Sequence, residues 1–259
     1  MIIDGVDHNR DFDFGRTSGD YAKYRDIYPE SLYNALLSRD ICVKGQRVLD
    51  LGTGTGVLPR AMYGYGAEFT AADISPEQVG QAEKLSAGMN ISYIVSPAES
   101  TGLPDACFDV ISAVQCFRYF NRDAVLPEIV RMLKDDGRFV VVWMTWLPHE
   151  DPVAAATEKL VLKFNPAWTG AGYTKKKPVI HSWAGKNFRL DEIVDYDEKI
   201  VFNHDTWTGR IRSCRGVAAT LPPETVERFD SEHRKMLGEM TGDEFSIVHQ
   251  ITAHIYSKK

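Results

Sequence analysis

The chain reads as an α/β protein built on a mostly parallel sheet with helices on both faces. Three observations point there. From residue 46 to 144, apolar runs alternate with amphipathic stretches, the rhythm of successive βα units. Several runs are apolar on consecutive residues, as in FVVVWM at 139–144, the pattern of strands covered on both sides. The first run passes directly into a turn holding Gly52, Gly54 and Gly56.

Residues 1–45 are expected to form an N-terminal helical cap. Within it, residues 10–30 are rich in Tyr and Phe and broken by Gly15 and Gly19, which fits either a mobile flap or a permanently docked helix. Pro29 opens a helix whose apolar stripe is Leu32, Tyr33, Leu36 and Leu37. Residues 46–144 form the core, with strands expected at 46–51, 68–73, 91–95, 108–114 and 138–144. After the second strand, Ser75-Pro76-Glu77-Gln78 offers an N-cap serine, proline at the first helical position and a reciprocal Gln partner. Val125, Ile129, Met132 and Leu133 line another helix, and Asp135-Asp136-Gly137 is expected to end it.

Residues 145–190 read as a helical insertion. Asp151-Pro152 opens a helix to about Phe164, and a loop rich in Gly, Pro and Lys follows to Pro178, with lysines 175–177 in a solvated turn. In residues 191–259 the expected elements are a strand near 192–203, helices near 205–217 and 223–240, and a last strand near 246–257. These complete the sheet within a single domain.

Bulk properties narrow the function. A net charge of -6 over 259 residues argues against nucleic acid, whose phosphates need a clustered basic surface. The longest apolar stretch, Phe139 to Met144, is far too short to span a bilayer. Cys42, Cys107, Cys116 and Cys214 are scattered, as reduced thiols of a cytoplasmic protein are. No metal is expected, since the seven histidines form no ligand pattern; His249 and His254 fall on opposite strand faces. A monomer or homodimer is expected.

The sharpest feature is VLDLGTGTG at 48–56, a strand running into a glycine-rich turn with Asp50 near the strand's end. Glycines let a backbone turn tightly and approach a ligand closely, and the N–H groups of the helix that follows favour a carboxylate or hydroxyl acceptor. A dinucleotide fingerprint needs a third glycine where Val57 stands, and the Lys-Ser/Thr of a P-loop is missing. What remains is D-x-G-x-G-x-G. This resembles the first motif of class I S-adenosylmethionine-dependent methyltransferases, of the methyltransferase type 11/25-like kind. Asp73, seventeen positions after Gly56, stands where an acid accepts both ribose hydroxyls. The segment 96–120 resembles the third and fourth strands of that family, where the pair Ala98 and Glu99 meets adenine.

The resemblance implies a Rossmann-like fold of seven strands, the last antiparallel, with S-adenosyl-L-methionine across the strand ends. It implies cofactor contacts at Asp50, Gly52, Thr53, Gly54, Gly56, Asp73, Ile74, Ala98, Glu99, Gln115, Tyr24 and Arg25. DYAKYRDIYPESL at 20–32 and AVQCFRYF at 113–120 are similar to segments of the trans-aconitate methyltransferase group, with Asp26 in place of a proline, Arg118 of a histidine and Tyr119 of a tryptophan. For the acceptor, expected to be a small molecule, the candidates are Tyr21, Arg118, Tyr119, Arg212 and Arg215. Arg212 and Arg215 are expected on one helix face, turned either inward onto an anionic group or outward to solvent. In-line methyl displacement demands positioning, and no residue stands out as a general base. The competing readings are an NAD-dependent oxidoreductase and a non-catalytic scaffold that keeps the cofactor site.

Overall fold

The computed structural model describes residues 1–259. In chain order the elements are α1 (Ser18–Tyr24), α2 (Glu30–Leu37), β1 (Arg47–Leu51), α3 (Val57–Met62), β2 (Glu68–Asp73), α4 (Pro76–Leu85), β3 (Ile91–Val95), β4 (Phe108–Val114) and α5 (Arg122–Met132). Then follow β5 (Leu133–Trp146), α6 (Pro152–Phe164), β6 (Phe188–Asn203), α7 (His204–Arg212), α8 (Pro223–Met240) and β7 (Glu244–Lys258). All seven strands join one sheet in the order β3-β2-β1-β4-β5-β7-β6. The pairs from β3 through β5 are parallel. β7 runs against β5: Leu147 N–H donates to Val248 O near the start of β7, while Lys258 at its end reaches back to Leu133 O. This is the seven-stranded sheet with its last strand antiparallel that the sequence resemblance implies.

The chain packs as two compact units. A sheet unit comprises Tyr28–Met144, Lys177–Tyr196 and Ile251–Lys259; a helical unit comprises Met1–Ile27, Thr145–Lys176 and Asp197–Gln250. The core of the sheet unit is Leu49, Leu51, Ile111, Ala113, Phe139 and Val141 with Ile129 and Met132 of α5. Val140, Val141 and Val142 are all buried, which is what an uninterrupted apolar strand requires. The helical unit is centred on Trp207, Phe229, Leu237, Val161 and Trp168. Within it, Asp151 caps α6 by accepting from Val153 N and Ala154 N at 3.0 Å each, with Pro152 at the position that needs no donor.

Three local expectations change. The Ser75 hydroxyl does accept from Gln78 N, but the backbone N–H of Ser75 goes to Asp73 Oδ1 at 2.9 Å, not to a reciprocal glutamine. Asp135-Asp136-Gly137 lies inside β5, because α5 stops at Met132 and the strand absorbs these residues in a register shift against β4. The helix expected to reach 217 stops at Arg212, where the Ser213 hydroxyl turns back to Arg210 O at 2.8 Å and competes with continued helix.

Candidate functional site

β1 delivers its backbone to a turn in which Gly52, Gly54 and Gly56 all have left-handed φ, 63°, 58° and 74°. A side chain is excluded twice over at two of them. A Cβ on Gly52 would stand 2.8 Å from the Cys116 side chain, and one on Gly56 would stand 2.4 Å from the Tyr93 hydroxyl. At Gly54 a Cβ would meet only Gln78 Oε1, at an ordinary contact distance of 3.8 Å, so there the left-handed backbone alone calls for glycine.

Asp73 fixes the turn from the neighbouring strand. Its Oδ2 accepts from Gly54 N at 2.8 Å and its Oδ1 from Ser75 N at 2.9 Å, while Thr53 N bonds Ala72 O at 3.0 Å. Burial pushes the Asp73 carboxyl up, and the backbone donors pull it back down. The next residue, Ile74, is 55% exposed, an apolar side chain left in the open beside a carboxylate. Asp50 lies behind the turn, fully enclosed. Burial pushes its pKa up to about 6, against the opposing pull of the Ser112 hydroxyl at 2.6 Å.

Past β4, Gln115 adopts a left-handed φ of 64° and donates its side-chain amide to Met144 O, holding β4 to β5. Cys116 donates to Leu51 O at 3.0 Å, and burial raises its thiol well above the ordinary range. Ala98 is buried, and Glu99 accepts from Asn121 N at 2.7 Å just before α5. Arg118 is exposed, its guanidinium over the Tyr119 ring.

The sheet unit therefore holds Asp50, Gly52, Thr53, Gly54, Gly56, Asp73, Ile74, Ala98, Glu99, Gln115, Arg118 and Tyr119. Tyr21, Tyr24, Arg25, Arg212 and Arg215 belong to the helical unit. There Tyr24 packs against Gly209 and donates to Asp205 at 3.1 Å, and Arg25 donates to the Tyr21 hydroxyl at 2.7 Å. α3 is only six residues long, so its dipole adds little to the turn.

The arginine expectation needs correction. Arg212 ends α7 and Arg215 lies beyond it, so they share no helix face. Neither is solvated: Arg212 bonds Asp20 through two nitrogens at 2.7 and 2.6 Å and also pairs with Asp230, while Arg215 pairs with the buried Asp7 at 3.2 Å. Ser112, Cys116 and Tyr93 went unnoticed in the sequence. Their contacts cross strands, and only Cys116, beside Gln115, sits next to a residue singled out by the motifs.

Residues 49–141 match the family described as a methyltransferase domain. An uncharacterized methyltransferase of Mycobacterium tuberculosis is 31% identical over 133 residues, 51% of this chain and 52% of that protein. The chain spans about half the length of the curated relatives it matches. The crystal structure of YcgJ from Bacillus subtilis superposes with a TM-score of 0.52 at 20% identity, covering 87% of this chain and 97% of that one. The Haemonchus contortus Phospholethanolamine N-methyltransferase 2, solved with phosphomonomethylethanolamine and S-adenosylhomocysteine, superposes with a TM-score of 0.55 at 17% identity, over 93% and 57%. At these identities the likeness to both solved structures is one of fold.

Proposed function

We propose that this chain, whose core carries a class I methyltransferase domain, transfers a methyl group from S-adenosylmethionine to a small-molecule acceptor. The observation that carries this reading is the link from Asp73 to Gly54. One carboxylate joins the turn after β1 to the end of β2, beside the left-handed Gly54 and the exposed Ile74. That is the chemistry an adenosine needs: an acceptor for ribose hydroxyls, close backbone and an apolar wall.

When bound, the cofactor supplies a methyl group on a positively charged sulfur. Asp73, pinned by two backbone donors, accepts the ribose hydroxyls. Ile74 and Ala98 would flank the base, and Glu99, which already accepts from Asn121 N, would accept from its amino edge. Gly52, Thr53, Gly54 and Gly56 bring the main chain close, and Asp50 supports the turn from behind. Gln115 keeps the ends of β4 and β5 together, which fixes where Arg118 and Tyr119 stand for the acceptor. The segments at 20–32 and 113–120 favour a relative of the trans-aconitate methyltransferase group. Transfer itself rests on alignment of acceptor, methyl and sulfur, and nominates no base. The acidic net charge, and the small phosphorylated amine with which the Haemonchus enzyme was solved, support a metabolite acceptor.

Calorimetry tests the reading. S-adenosylhomocysteine should bind with micromolar affinity, about -8 kcal/mol, and NADH should not. Asp73→Asn should weaken the former by about 1.5–3 kcal/mol, as loss of a charged acceptor does. Heat with NADH alone overturns the proposal. A screen of small-molecule acceptors for S-adenosylhomocysteine release then separates an enzyme from a binding scaffold.

A further inference from the structure

The helical unit encloses a guanidinium that nothing around it neutralises. Arg210, in the last turn and a half of α7, is 5% exposed. No carboxylate oxygen comes within the 4.0 Å of an ion pair; in the same unit Asp20 and Asp230 pair with Arg212, and Asp7 with Arg215. Its Nη1 donates to Cys214 Sγ at 3.1 Å, and its Nε is buried with no acceptor. The group lies over the Trp146 ring, 5.2 Å from the centroid. A thiol is a weak acceptor, and an aromatic face offsets only part of the desolvation of a cation. Nor can the charge be shed, because a guanidinium does not deprotonate in a protein.

The neighbourhood supplies no spare anion. Arg25 and Arg215 lie close enough to Cys214 for their charges to act on its thiol, and Arg215 is itself paired with Asp7. The buried Glu158, at the N–H edge of the same indole, is committed elsewhere: Oε1 accepts from Trp146 Nε1 at 2.6 Å and Oε2 from Gly172 N at 2.7 Å. A buried cation left without an anion is strongly destabilising, so an anion that reached this one would recover much of that cost.

We infer that Arg210 anchors a binding site for a small anionic ligand, whose carboxylate or phosphoryl oxygens take the Nε edge that no protein atom accepts. The planar fork suits two oxygens of either group, and Trp146 holds it in plane. The site is built wholly from the helical unit and does not depend on the methyl-transfer reading.

The test is a thermal melt of the intact chain, followed by tryptophan fluorescence, in citrate, in inorganic phosphate and in sodium chloride at matched ionic strength. Concentrations stay below about 10 mM, where general salt effects on burial are small. A saturable rise in Tm with citrate alone assigns a carboxylate ligand, and one with phosphate alone a phosphoryl group; a rise with both leaves the shared anion chemistry in place. Arg210→Met should weaken that response about ten- to hundredfold. Without added anion it should melt at or above the wild-type temperature, because an unpaired buried charge has been removed. If neither anion acts differently from chloride on the wild type, or if Arg210→Met melts lower with its anion response intact, Arg210 is a structural residue and the proposal falls. Should that variant not fold, Arg210→Lys decides: it keeps the charge but loses the paired edge, and unchanged anion affinity overturns the site.

Discussion

In the sheet unit the carboxylates of Asp73 and Glu99 are held by backbone N–H groups; in the helical unit the guanidiniums of Arg212 and Arg215 are held by distant aspartates. Asp73 takes its donors from the backbone of Gly54, in the turn after the neighbouring strand, and of Ser75, two residues further on. Arg215 takes its partner from Asp7, at the other end of the chain. A backbone donor is placed by the turn itself and is present whatever the rest of the sequence. A side-chain partner has to be brought in by packing. The first kind of site therefore tolerates little change in main-chain conformation, and the second little change in charge.

The largest effect should come from Gly52→Ala, which attacks the main chain of the turn. The substitution forces a side chain into left-handed φ and against Cys116. Strain and overpacking together should lower stability by about 3–4 kcal/mol and abolish S-adenosylhomocysteine binding. Urea unfolding and calorimetry check both; retained binding would show that the turn can rearrange.

Asp50→Asn sharpens the contrast, because Asp50 is a carboxylate without cation or solvent. Its pKa in the folded chain is about 6, against 3.8 for the ordinary side chain. A carboxyl raised on folding weakens the fold as it ionises: not at all below pH 4, and fully above pH 6. The asparagine variant should match the wild type near pH 4 and exceed its stability by up to about 3 kcal/mol at pH 7. Denaturant midpoints across that range give the answer, and a flat difference would place the titration elsewhere.

Arg212→Ala breaks the other unit. It leaves Asp20 and Asp230 facing each other with no cation between them. Partial exposure keeps the loss near about 2 kcal/mol, below that of a fully buried pair. Cofactor affinity should not change, and a parallel fall in affinity would join what the comparison separates.

The smallest effect is expected from Gly209→Ala, whose Cβ would stand 2.3 Å from the Tyr24 ring. The helical preference of alanine offsets part of the clash, for a net loss of about 1 kcal/mol. Protease cleavage at Lys23 should then accelerate if α1 is held on α7 by this contact.

The same difference explains what was legible. β2, β3, β4 and α6 fall where periodicity and caps put them, because each carries its signal within its own residues. The D-x-G-x-G-x-G turn was visible for the same reason. Arg210, Arg212 and Arg215 sit within six residues, and nothing local distinguishes them. Which two are paired depends on Asp7, Asp20 and Asp230, brought in from elsewhere in the chain. The early end of α7 was hidden by a serine whose choice of partner is made only in the folded chain.

The strand order also sets a timetable for synthesis. β7 lies between β5 and β6, yet it is the last of the seven to be made. While a ribosome is still translating α8, β5 already presents Val140, Val141 and Val142 along an unpaired edge, and β6 has no neighbour at all. Open apolar edges are templates for pairing between chains. A nascent chain stalled before residue 244 should therefore need a chaperone, whereas one released a dozen residues later should close its sheet unaided.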